Sequence, residues 1–166
     1  MQFLSFLAIL AATSSCVSSA AIDNTVGLSM RDELDDIINL PTKSVRCGGS
    51  LARAEIHTTA DIKKAATNTL NHLDANTVVG DQNYPKRYGY RDPAVTLSSQ
   101  CSATDTLYEF PITRGTWNGV PGDTTDIPDR IIIKRTSKKG IYCGLITHTG
   151  APASPITNNP FQSCTG

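Results

Sequence analysis

The chain has 166 residues, with 15 lysines and arginines against 15 aspartates and glutamates, and 39% of it is hydrophobic. That length holds one domain with a single core. The balanced charge excludes a protein that coats polyanions indiscriminately, and beyond the first residues no run is long or apolar enough for a membrane helix.

Residues 1–20 read as a secretory signal. An apolar core from Phe3 to Leu10 is too short to span a bilayer and leads to the small-residue exit Ser18-Ser19-Ala20, so the protein is expected to be secreted and extracellular. Residues 21–46 read as an acidic leader. They hold five of the 15 acidic and three of the 15 basic residues, and the signal holds no charge, which leaves an excess of two positive charges from Cys47 onward. Met30, Leu34, Ile37 and Ile38 recur at helical spacing and predict a short helix over Met30 to Leu40, ended by Pro41. This leader is either a propeptide cut after a basic residue such as Arg46 or an extra helix packed on the domain. The domain proper spans 47–166.

Cys16 departs with the signal, leaving Cys47, Cys101, Cys143 and Cys164. An even set in an oxidising compartment implies two disulfides, and three pairings are possible. The four are too dispersed for a zinc site. Pairing first with last would constrain the unfolded chain by roughly 4 to 5 kcal/mol.

Thr58 to Leu73 predicts the clearest helix, with Thr58 or Thr59 as cap, Asp61 in the first turn, and an apolar stripe of Ile62, Ala65, Ala66, Leu70 and Leu73. Such a stripe needs a sheet to lie on. His57 and His72 are read as solvated, with no catalytic role. Gly80-Asp81 then turns the chain toward short strand-like segments.

Tyr84-Pro85-Lys86-Arg87-Tyr88 carries two cations and two phenols on a proline-stiffened run. In the strand Leu107 to Ile112, period-two alternation puts Leu107, Glu109 and Pro111 on one face and Tyr108, Phe110 and Ile112 on the other. A carboxylate on so apolar a strand needs a cationic partner or a wet cleft. Asp129 to Arg135 forms a further strand, and the Lys138-Lys139-Gly140 turn returns it into Ile141 to Gly150, which ends on His148. Antiparallel pairing brings Arg130 and His148 together, and Glu109 joins them if its strand lies alongside.

A carboxylate, a guanidinium and an imidazole suit phosphodiester cleavage: a base for the attacking hydroxyl, a cation for the phosphorane charge, an acid for the departing oxygen. The sequence carries no metal-binding cluster and implies no cofactor, so the nucleophile has to come from the substrate. The 2′-hydroxyl of RNA supplies it, and DNA has none.

The set Tyr84-Pro85, Tyr108-Glu109-Phe110-Pro111-Ile112, Pro121-Gly122, Asp129-Arg130, Ile146-Thr147-His148-Thr149-Gly150-Ala151 and Asn158-Asn159-Pro160-Phe161 resembles the fungal guanyl-specific extracellular ribonucleases, in order from about Cys47 to Cys164. The resemblance implies an α+β fold, with one helix packed on a curved antiparallel sheet, and single-stranded RNA as the partner of a monomer. It also implies Glu109 as general base, His148 as general acid, Arg130 and Tyr84 as phosphate contacts, and Phe161 as a contact for the leaving nucleoside. Cys47 with Cys164 resembles the family's end-to-end disulfide, and Cys101 with Cys143 the second bridge of its larger members.

Two departures stand out. Lys86 occupies the family's histidine position, where an ammonium serves as a phosphate-attracting cation that holds Glu109 ionised, not as a proton acceptor. The base-reading loop becomes Tyr88-Gly89-Tyr90-Arg91-Asp92, in which Tyr88 stacks on a base and Asp92 accepts from a guanine edge with shorter reach. The segment Asp123 to Pro128 lengthens a loop relative to the family. These departures motivate a competing reading, a ribonuclease-like effector that binds host RNA or a host protein.

Overall fold

A computed structural model describes residues 37–89, 92–119, 127–137 and 139–166. The signal, most of the leader, Tyr90-Arg91, the loop containing Pro121-Gly122 and the turn residue Lys138 lie outside the described residues.

The framework is the antiparallel hairpin of β6 (Asp129–Arg135) and β7 (Gly140–Thr147), with β5 (Leu107–Pro111) on the other side of β6 and β4 (Lys86–Arg87) beyond it. The free edge of β7 takes two short strands, β1 (Ile37–Ile38) in parallel and β8 (Gln162–Ser163) antiparallel. A separate hairpin, β2 (Val45–Cys47) with β3 (Glu55–His57), is tied to the end of the domain by paired backbone bonds between Arg46 and Thr165. The fold is α+β, and its disulfides are Cys47–Cys164 and Cys101–Cys143.

Helix α1 (Thr59–Ala75) starts where the sequence signals it. The Thr58 hydroxyl accepts from the Asp61 amide while the Asp61 carboxylate accepts from the Thr58 amide, a reciprocal cap worth about 1 kcal/mol. It ends at Asn76 in the left-handed region, φ 51°. The buried stripe of Ile62, Ala66 and Leu70 meets Phe110, Ile112, Ile131, Ile133 and Leu145 of the sheet. Burying each such Ile, Leu or Phe contributes roughly 1.5 to 3 kcal/mol. On the opposite face Leu107, Ile132, Cys143 and Ile146 pack beneath Tyr88, Val95 and Phe161.

One irregularity determines which side the chemistry faces. Opposite Ile132 stands Gly144, but opposite Ile133 stands Tyr142, so Cys143 is an extra residue in β7. Gly144 takes φ 146°, open to glycine and strained for other residues. Strict alternation would put Tyr142, Ile146 and His148 on one face. With the bulge, Tyr142 joins the helix side while Ile146 joins Ile132 on the other. His148, two residues on, follows Ile146.

The leader departs from expectation where it is described. Ile37 and Ile38 form a strand beside Gly140 and Ile141, and Asn39 turns into the left-handed region at φ 66° with its side-chain amide donating to the Tyr142 carbonyl at 2.9 Å. Adjacent β-branched residues beside an open strand edge complete a ladder there, which overrides the helical spacing. His57 is also not solvated. It is fully buried, with Nε2 2.7 Å from Asp129 Oδ2. His72 is half-buried and stacked on Phe110, and burial holds its imidazole below its ordinary pKa.

Candidate active site

The strand register assembles the site. Lys86 faces Glu109 across β4 and β5, Glu109 faces Ile132, and Pro111 faces Arg130, so Glu109 and Arg130 project on the same side two residues apart in register. The His148 amide continues the hairpin by donating to the Pro128 carbonyl at 3.1 Å. Together Glu109, Arg130, His148, Tyr84, Lys86 and Phe161 border one cleft of about 330 Å³. The convergence expected of the hairpin and its neighbouring strand is therefore present. A similar hollow of about 350 Å³ beside Pro41, Tyr142 and Gly144 has no Asp, Glu or His side chain in its lining among the described residues.

Glu109 is only 5% exposed. Burial pushes its carboxyl above the ordinary value, an effect opposed by the charges of Lys86 and Arg130 and reinforced by Asp92. Lys86 Nζ lies 3.3 Å from Oε1, and Oε2 has no hydrogen-bond partner among the described residues.

Arg130 is 3% exposed, and a chain of polar contacts ties it to Lys86. Its Nε donates to the Tyr84 hydroxyl at 3.0 Å, and one terminal nitrogen donates to the carbonyls of Asp129 and Ile127. Gln82 Oε1 then accepts from both the Tyr84 hydroxyl, at 3.3 Å, and Lys86 Nζ, at 3.1 Å. The Tyr84 ring lies within cation–π range of both cations, 5.3 Å from the guanidinium and 4.7 Å from the ammonium. Gln82 was not among the expected site residues; only its place two residues before Tyr84 hinted at it.

His148 is aimed by the segment that follows β7. Its Nδ1 donates to the Pro160 carbonyl at 2.8 Å, which leaves Nε2 toward the cleft, where the Asn159 amide stands 3.2 Å away. The Phe161 ring stacks on the imidazole at 3.7 Å. Burial holds the imidazole below its ordinary pKa, with Arg130 and Lys86 acting in the same sense and the Pro160 carbonyl and Asp92 against it. Asn159 is a second residue that went unassigned from the sequence, although it belongs to the Asn-Asn-Pro-Phe motif.

Beside the cleft lies a recess of about 260 Å³ bordered by Tyr88, Asp92, Glu109, Asn159 and Phe161. Tyr88 meets Phe161 edge to face, with centroids 6.2 Å apart. Asp92 is 8% exposed, and its Oδ1 has no hydrogen-bond partner among the described residues. The residues expected for base contact thus border one recess beside the cleft, with Phe161 shared between the two.

A grouping of Cys47, His57 and Asp129 has side chains close enough for a metal, but the Cys47 sulfur is committed to its disulfide. What remains is a buried hydrogen bond between His57 and Asp129, not a ligand set.

A buried carboxylate, a guanidinium and an oriented imidazole around one cleft are the groups that general acid–base chemistry at an anionic substrate calls for. A family model described as ribonuclease matches residues 43–165, so the chain belongs to the ribonuclease family and is an RNA-cleaving enzyme. No curated protein matches the chain.

Proposed function

We propose that this is a secreted endoribonuclease that cleaves single-stranded RNA by transphosphorylation, with guanine preference and without a metal cofactor. The observation that carries the reading is the convergence of Glu109, Arg130 and His148 on one cleft. Glu109 takes the proton of the 2′-hydroxyl, whose oxygen forms a bond to phosphorus. Arg130, with Tyr84 and Lys86, holds the phosphoryl oxygens as charge grows on them. His148 Nε2 gives a proton to the 5′-oxygen as its bond to phosphorus breaks, leaving a 2′,3′-cyclic phosphate. Hydrolysis of that ester runs with the two roles exchanged. Tyr88 and Asp92 hold the base upstream of the cut, and the free Asp92 oxygen accepts from its donor edge. Residues 1–20 are the export signal in this reading, and the acidic segment after them is a leader.

A gel assay of the purified protein on single-stranded RNA, with chelator present, tests the reading. Ladders that persist in chelator and vanish in His148→Gln support it; no cleavage by the native chain overturns it. Sequencing the cut ends tests the preference, and equal cutting after all four bases refutes it. The competing effector reading has one observation in its favour, the Lys86 ammonium held against Glu109 Oε1. Retained RNA binding without turnover in the same assay would select it.

A further inference from the structure

Beyond the Tyr88–Asp92 recess lies a third space, a slot of about 290 Å³ walled by Pro93, Pro152, Pro155, Pro160 and Phe161. Asp92 and Phe161 border both recess and slot, whereas only Phe161 also borders the cleft of Arg130 and His148. Cleft, recess and slot therefore follow one another, with the slot at the far end from the phosphate chemistry.

The slot is pre-formed and its chemistry is selective. Proline rings have almost no rotamer freedom to lose, and Ala94 of the lining is held by a bond from the Ser163 amide to its carbonyl, 3.1 Å. No lysine or arginine lines it among the described residues, so it does not suit a phosphate. It offers apolar faces for a flat ring, with Phe161 as its aromatic wall among the described residues. A nucleobase presents such a π-face, and the Asp92 carboxylate at the shared wall is left to the base in the recess.

We propose that this slot is a second nucleobase subsite, taking the base immediately 5′ of the nucleotide held in the recess. The inference rests on the RNA-cleaving reading above, since the scissile phosphate at Arg130 and His148 fixes the strand direction. Stacking of one more base tightens binding by roughly 5- to 100-fold.

The test is binding, by calorimetry, of oligonucleotides that carry a 2′-deoxy sugar at the recess nucleotide and so resist cleavage. A dinucleotide, the same strand extended by one nucleotide 5′, and one extended 3′ are compared on the native protein and on Ala153→Trp. Ala153 is an exposed residue of the slot rim, so the indole fills the slot. The 5′ extension alone is expected to bring the gain, and Ala153→Trp to erase it while leaving dinucleotide affinity unchanged. No gain on the native protein, an equal gain from the 3′ extension, a gain that survives Ala153→Trp, or loss of dinucleotide affinity in that variant overturns the assignment. Cleavage of all-ribose strands is scored separately. A protein that gains from the 5′ base but cuts nothing refutes the nuclease reading alone, and one that cuts without the gain refutes the slot alone.

Discussion

Replacing Lys86 by methionine keeps the aliphatic stem and removes the charge, which isolates what the ammonium does for Glu109. At the observed 3.3 Å, two unit charges attract by about 5 kcal/mol at an effective dielectric of about 20 and by about 1.3 kcal/mol in water. The Lys86 side chain is 39% exposed, so the pair belongs toward the solvated end, and about 1 to 1.5 kcal/mol is the appropriate figure. The Glu109 pKa therefore moves upward, because the ionised form loses its nearest cation. The assay is kcat/KM for a short RNA across about pH 4 to pH 9, where the acid limb reports the base of the free enzyme. In Lys86→Met this limb moves to higher pH. The alkaline limb shifts up by less, since His148 also loses a repelling charge. An acid limb that stays in place would show that Glu109 is not the group titrating there, or that Lys86 does not govern it.

Further outcomes follow from the same geometry. Because burial raises Glu109 from 4.5 and lowers His148 from 6.5, the native profile should be a narrow bell lying between those ordinary values. An optimum above the imidazole's ordinary value would contradict the assignment of base and acid. Glu109→Gln should remove nearly all cleavage, and residual activity above about a tenth reassigns the base. The same variant should melt higher than the native protein near neutrality. A raised carboxyl pKa means the folded state holds its proton more tightly, so native stability is lost as pH rises from the ordinary value through the raised one. The melting-temperature advantage should accordingly shrink toward zero as the pH falls below 4.5, and an advantage that grew on acidification would reverse the sign of the argument. Gly144→Val forces a branched side chain into φ 146° and should cost about 1 to 3 kcal/mol in denaturant unfolding, with loss of cleavage as the bulge relaxes. Amino-terminal sequencing of the protein purified from its source should place any leader cut ahead of Ile37. A cut after Arg46 would sever β2 beside Cys47 and strip β1 from the sheet, and finding it would refute that expectation.

Where local signals and tertiary demands coincide, the fold was legible from residues alone. Thr58 with Asp61 marked the helix start, and the isoleucine run from Ile131 to Ile133 with its return through Gly140 marked the hairpin that joins Arg130 to His148. The failures have a common cause, contacts distant in the chain. His57 gave no sign of burial because its partner Asp129 is 72 residues away. Ile37 and Ile38 followed a helical period until the open edge of β7 claimed them. The extra residue at Cys143 is invisible to an alternation count, yet it decides the face on which Ile146 emerges. Gln82 and Asn159 were missed because neither titrates, and their roles exist only through the groups they touch.

The imidazole's dependence on Asn159, Pro160 and Phe161 has a consequence for how the protein is made. A polypeptide leaving the ribosome has its guanidinium and carboxylate strands complete well before those three residues arrive, and β8 and the Arg46–Thr165 pairing come later still. Until then the imidazole has nothing to point it. In chain order, what aims this side chain is thus almost the last part of the domain to be made.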